Sequence, residues 1–171
     1  MRKILLIGSG GSGKSTLAAK IAERTGLPLI HLDAIYWKPG WVDTPRDEWT
    51  RIVAGMVTRD AWVMDGNYGG TMDIRLAACD TVIFLDFPRM LCLWRVLKRR
   101  FRFRNQSRPD MAADCPEHLS REFLMWIWNY RRDRRPSILQ KLAALGQDQR
   151  VIILDSPGKA EAFIAQLPTH E

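Results

Sequence analysis

Cysteine is scarce in this sequence, with three residues in 171, at Cys79, Cys92 and Cys115. So few and so scattered, they cannot form a disulfide framework, and their odd number suits a reducing compartment. Long apolar runs are missing too. The basic start Met1-Arg2-Lys3 leads into only four apolar residues, 4–7, before a Gly/Ser stretch, which is too short for a signal-peptide core. No segment approaches the roughly 18 apolar residues needed to cross a bilayer. The cytoplasm is the expected location, with no membrane partner. The sequence shows no internal repeat, low-complexity tract or dividing linker. A hydrophobic content of 46% over this length therefore predicts one domain around one core.

Positive charge is in surplus, and it is unevenly placed. Twelve arginines and lysines stand against five acids between Arg95 and Arg135, so this segment carries the whole formal charge of +7. A solvated basic face is the plain explanation. The excess of arginine over lysine favours phosphate recognition, because a guanidinium presents a fork of donors that an ammonium lacks.

Short aliphatic runs recur at residues 4–7, 29–32, 61–64, 81–85 and 151–154, with helical stretches between them. This alternation predicts βαβ units and an α/β fold with a five-stranded parallel sheet, helices on both faces. The runs are nearly uninterrupted, as expected of strands covered on both sides. Asp33, Asp65, Asp86 and Asp155 fall at or just after strand ends, where open parallel sheets bind ligands. Thr44-Pro45 with Asp47 predicts a capped helix start running to about Arg59, and Ser156-Pro157 repeats the arrangement before the last helix. Residues 102–116 show no sustained period and read as a loop or small mobile subdomain.

Gly8-Ser9-Gly10-Gly11-Ser12-Gly13-Lys14-Ser15 fits the pattern GxxxxGK[ST], directly after a strand and before a helix predicted over residues 15–25. Glycines allow successive N–H groups to turn inward around a phosphate, and the following helix presents its positive end to the same anion. In this arrangement Lys14 reaches the β- and γ-phosphates, the Ser15 hydroxyl ligates Mg²⁺, and Thr16 completes the cradle. Gly8, Gly10 and Gly13 also satisfy GxGxxG, and Asp33 lies about twenty residues beyond Gly13. Lys14-Ser15 argues against that dinucleotide reading, which does not require a lysine there. The expected cofactors are ATP and Mg²⁺.

Asp65 opens into the turn Gly66-Asn67-Tyr68 and is a candidate to hold magnesium directly or through water, with turn-capping as the alternative. Asp33 is placed to accept a hydrogen bond or a proton from an acceptor hydroxyl. Asn67 and Tyr68 are candidate acceptor contacts. Arg46, Arg51 and Arg75 are candidates to hold an anionic group on the acceptor. His31 reads as a satisfied strand residue. Tyr36, Trp37, Trp41 and Trp49 read more readily as core than as a flat-walled acceptor pocket. Cys115 and His118 have CxxH spacing, but without a second pair a zinc site is not expected.

With the loop and the strand ends in place, the chain resembles the P-loop kinases of the adenylate kinase type. Asp86-Phe87-Pro88, then Leu91, Arg95, Arg99 and Arg100, resemble that group's strand-to-helix pattern. The match implies that Arg95 and Arg99, four apart on one helix face, are lid-base arginines that contact ATP phosphates. It also implies a small basic lid over residues 100–121. Trp126 stands where the group has an arginine four residues before a lid-helix tyrosine, here Tyr130. Arg131, Arg134 or Arg135 would then replace it, and Arg135, beside Pro136, is favoured. Asp65-Gly66-Asn67-Tyr68-Gly69 lacks the group's Pro-Arg pair, so transfer to AMP is not implied.

Further motifs are similar to the FlaR group, labelled DNA topology modulation proteins. They are His31-Leu32-Asp33 through Trp41, the run from Trp62 to Tyr68, Arg108-Pro109-Asp110-Met111, Cys115-Pro116-Glu117 and Trp126-Ile127-Trp128-Asn129-Tyr130. The label names a phenotype rather than a reaction. The expected function is transfer of the γ-phosphoryl group of Mg-ATP to a small molecule. An ATP-dependent nucleic-acid protein and a nucleotide-binding regulator without turnover stand as alternatives. Nucleoside monophosphates, nucleosides and polyhydroxylated metabolites all fit as acceptors, and the sequence does not constrain the oligomeric state.

Overall fold

A computed structural model describes residues 1–103, 115 and 119–169. Five strands form one parallel sheet: β1 (Lys3–Gly8), β2 (Leu29–His31), β5 (Trp62–Asp65), β6 (Thr81–Leu85) and β7 (Arg150–Leu154), in the order β2-β5-β1-β6-β7. Two further strands, β3 (Trp37–Lys38) and β4 (Val42–Asp43), make a separate antiparallel hairpin. The helices are α1 (Lys14–Thr25), α2 (Leu32–Tyr36), α3 (Arg46–Val57), α4 (Met72–Ala78), α5 (Arg89–Arg102), α6 (Arg121–Asp133), α7 (Arg135–Ala143) and α8 (Pro157–Ala165).

Side chains on a strand alternate between faces, and β1 divides its apolar residues accordingly. Leu5 and Ile7 pack with Trp49 and Val53 of α3, Leu76 of α4 and Ile138 and Leu142 of α7. Ile4 and Leu6 pack with Leu17 and Ile21 of α1, Cys92 and Val96 of α5 and Ile127 of α6. Helices therefore cover both faces, as the alternation of elements predicted. The expectation of strands buried on both sides fails at β7. It is an edge strand, and Val151 and Ile153 are 38% and 45% exposed.

Two local expectations also change. The second strand stops at His31, and Leu32 begins the short α2, which turns the chain into the β3–β4 hairpin. The helix after Thr44 begins at Arg46 with no side-chain cap. The Thr44 hydroxyl donates instead to the Tyr36 carbonyl at 2.6 Å, tying the helix entry to the end of α2. Ser156 does cap as expected, accepting from the Lys159 N–H, with Pro157 in the first turn of α8. The lid expected over residues 100–121 falls mostly on 104–114 and 116–118, outside the described residues, as do Arg108 and His118. Cys115 is buried, with its Sγ 3.5 Å from the Lys38 carbonyl. No group of three or more metal-binding side chains occurs among the described residues, nor any helix long and apolar enough to cross a membrane.

Candidate functional site

The central strand β1 leads straight into the glycine-rich turn, whose backbone only glycine adopts at low cost. Gly11 has φ 74° and Gly13, the N-cap of α1, has φ 93°. Neighbouring chain also comes close. A Cβ on Gly11 would lie 2.3 Å from the Cys92 carbonyl oxygen, and one on Gly10 would lie 2.7 Å from the Phe123 ring. Helices α5 and α6 therefore brace the turn from outside. The N–H groups of Gly10, Gly11 and Gly13 have no acceptor among the described residues, and the Ser12 hydroxyl is buried without a partner. Lys14 Nζ folds over the turn and donates to the Gly8 and Ser9 carbonyls, each at 2.9 Å. Burial lowers the Lys14 pKa, opposed by the charges of Asp33 and Asp65. A cradle with unpaired donors, a lysine and the start of α1 has the chemistry of a polyphosphate site.

Behind the cradle, Ser15 Oγ donates to Asp65 Oδ2 at 2.7 Å, so the two candidate magnesium ligands meet. His31 Nδ1 lies 2.5 Å from the other oxygen, Asp65 Oδ1. The ring, read from sequence as a plain strand residue, belongs to the site. Its signal was the parallel register of β2 and β5, which pairs His31 with Asp65 and cannot be read along the chain. A hydroxyl beside a buried carboxylate suits Mg²⁺, which takes few protein ligands and completes its shell with phosphate and water. The donor set fits that ion. Asn67, expected as an acceptor contact, lines the cleft and also braces the backbone. Its side chain accepts from the Gly8 N–H at 3.1 Å and donates to the Gly8 carbonyl at 2.7 Å, which fixes the entrance to the cradle.

A cleft of about 1320 Å³ opens from the cradle, lined among others by Gly10 through Thr16, His31 and Asp33. Single-ligand pockets run to roughly 1,000 Å³, so two ligands fit. Arg95 and Arg99 both line it, with Lys98 and Arg102 from the same helix. Arg95 also donates to the Ser12 carbonyl at 3.0 Å, which places its guanidinium against the phosphate turn. Arg135 does not line the cleft. It pairs with Asp86 at 2.8 Å, and Arg131 approaches the same carboxylate at 3.8 Å. Asp86 is 7% exposed at the end of β6, so these arginines anchor α7 and the end of α6 to the sheet.

Beyond the phosphates, Asp33 sits in the first turn of α2 and accepts from Tyr68 Oη at 2.6 Å. Burial and the Asp33 charge push the Tyr68 pKa well above its ordinary value, so the phenol stays a donor. The aromatic group divides. Trp49 is core, whereas Trp37 and Trp41 line the cleft. From α6, Phe123 and Trp126 also reach the cleft. Arg75 is fully buried, and burial pulls its pKa down to about 10. Its guanidinium donates to the carbonyls of Gly66, Asn67, Tyr68 and Thr71, so it holds the 66–71 loop rather than an acceptor anion. Arg46 and Arg51 are exposed and do not line the cleft.

The architecture has solved counterparts. Shikimate kinase from Acinetobacter baumannii, in complex with shikimate, matches over 97% of this chain and 90% of its own, with a TM-score of 0.64 at 19% identity. The shared fold is a five-stranded parallel sheet with helices on both faces. A sugar kinase from a Janibacter species matches over 97% of this chain and 91% of its own (TM-score 0.52, 24% identity). A gluconokinase from Sinorhizobium meliloti matches over 96% and 92% (TM-score 0.52, 17% identity). No protein-family model matches the sequence, and no curated protein is significantly similar to it. At these identities the likeness is one of fold alone, and activity is argued from the site.

Proposed function

We propose that this chain transfers the γ-phosphoryl group of Mg-ATP to a small molecule. The observation that carries the reading is the Ser15–Asp65 hydrogen bond of 2.7 Å, directly behind a glycine cradle with unpaired N–H donors. Phosphoryl transfer needs positioning and charge neutralisation more than covalent help from the protein. The N–H groups of Gly10, Gly11 and Gly13 grip phosphate oxygens, and Lys14 exchanges its carbonyl partners for them. Arg95 and Arg99 add charge from the facing helix. Ser15 and Asp65 would hold magnesium, which when bound neutralises and orients the phosphates. Asp33 takes the proton of the attacking hydroxyl.

That the structural counterparts are kinases agrees with this chemistry. The FlaR-like motifs belong to the same reading, since His31, Asp33 and the end of the run from Trp62 to Tyr68 (Gly66, Asn67 and Tyr68) line the cleft. The arginines Arg95, Arg99 and Arg102 line that cleft, so they have an anionic occupant without a nucleic acid. The test is ADP release from purified protein given Mg-ATP and a broad acceptor panel. An acceptor-dependent rate, lost in Lys14→Met and reduced in Arg95→Ala, is expected. Nucleotide binding with no acceptor-dependent turnover would instead identify a regulator, and salt-sensitive DNA binding independent of ATP would favour the nucleic-acid reading.

A further inference from the structure

The cleft has two chemically different halves. Among the described residues, its lysines and arginines are Lys14 and Lys20 of α1 and Arg95, Lys98, Arg99 and Arg102 of α5, and Lys14 and Arg95 bond directly to the phosphate turn. The other half is panelled by rings and contains a carboxylate. Trp37 and Trp41 stand edge to face at 5.3 Å, Tyr36 joins Trp37 to Tyr68 at 4.9 and 4.6 Å, and Tyr68 bonds to Asp33. Phe123, with Trp126 nearly parallel to it at 6.1 Å, instead packs from α6 against Gly10 of the phosphate turn.

Resting on the phosphotransfer reading, we infer that the acceptor is an uncharged, polyhydroxylated ring compound rather than a phosphorylated or carboxylated one. Flat aromatic walls stack on the faces of a base or sugar ring. Asp33 accepts from hydroxyls and, with Asp65 nearby, repels an anion. Arg75, the one fully buried arginine or lysine among the described residues, already donates to four backbone carbonyls. In the reaction an acceptor hydroxyl oxygen forms a bond to the γ-phosphorus. The bond from that phosphorus to the β–γ bridging oxygen breaks, ADP leaves with the electron pair, and the hydroxyl proton passes to Asp33.

The test uses the full chain with Mg-ATP and matched acceptor sets: nucleosides and monosaccharides, the corresponding nucleoside monophosphates, and sugar acids. A like charge against a carboxylate is strongly disfavoured, so kcat/KM for a neutral acceptor should exceed that for its anionic counterpart by about 100-fold. Asp33→Asn should lower kcat with the neutral acceptor and narrow that gap. Trp37→Ala should raise the acceptor KM while leaving the KM for ATP unchanged, with thermal unfolding followed to confirm folding. Equal or greater turnover with anionic acceptors overturns the inference and leaves phosphotransfer standing. Absence of turnover with every class, in a chain that binds Mg-ATP by calorimetry, overturns both.

Discussion

His31 and Asp65 share a hydrogen bond of 2.5 Å on the carboxylate oxygen that Ser15 does not use. An ionised carboxylate only accepts, so Nδ1 is the donor and the ring fixes how Asp65 presents its other oxygen. Loss of such an outer partner costs about 10- to 100-fold in metal affinity, and His31→Ala should weaken the magnesium dependence of nucleotide binding by that factor. His31→Asn, with an amide N–H near the Nδ1 position, should recover part of it. Superimposable magnesium titrations for the wild type and His31→Ala would show that the ring does not orient the carboxylate.

Arg75 is expected to matter for folding before anything else. Each buried acceptor left unpaired costs about 1–3 kcal/mol, so Arg75→Leu should lose at least about 3 kcal/mol in urea unfolding. Arg75→Lys should recover little, since an ammonium cannot fork to several carbonyls. A raised acceptor KM with stability intact would restore Arg75 as an acceptor contact.

Two neighbouring glycines should respond differently to the same methyl group. At Gly11 a Cβ meets the backbone oxygen of Cys92 at 2.3 Å with φ at 74°. Left-handed strain of roughly 1–2 kcal/mol and overpacking of roughly 1–3 kcal/mol should make Gly11→Ala severe for both stability and nucleotide binding. At Gly10 the obstacle is the Phe123 ring, a side chain that can turn. Gly10→Ala should therefore be milder and relieved by Phe123→Ala. Calorimetry and thermal melting of Gly11→Ala, Gly10→Ala, Phe123→Ala and the Gly10→Ala/Phe123→Ala double variant check the ranking, which fails if Gly10→Ala is the worse substitution.

Nucleotide binding should weaken at alkaline pH. Burial holds the Lys14 pKa below the ordinary 10.5, and only the protonated amine adds charge to the phosphate grip. Affinity is thus full below that lowered pKa and declines as pH rises through it, earlier than an ordinary lysine would titrate. Calorimetric titrations from neutral to alkaline pH should show the decline, and Lys14→Met should bind weakly without this pH dependence. A wild-type affinity that stays flat over the range contradicts the role given to Lys14.

Features confined to one stretch of chain were legible before folding. Five apolar runs announced five strands, and Ser156-Pro157 announced the start of α8. The cradle's place between β1 and α1 followed from eight consecutive residues. Thr44 looked like an equal cap but bonds to Tyr36, because α2 and the hairpin bring that carbonyl within reach. Arg75 and Arg135 resembled anion contacts for the same reason that they serve as anchors: a guanidinium satisfies carbonyls or a carboxylate as readily as phosphate.

By itself the sequence determined the phosphate turn and the layered α/β plan, since both depend on short-range spacing, glycine content and hydrophobic period. Tertiary structure alone decided that His31 meets Asp65, that Asn67 braces Gly8, and that aromatic rings face arginines across one cleft. Those relationships join residues between 34 and 59 positions apart or on separate elements. They arise from sheet register and helix packing, which no local pattern encodes.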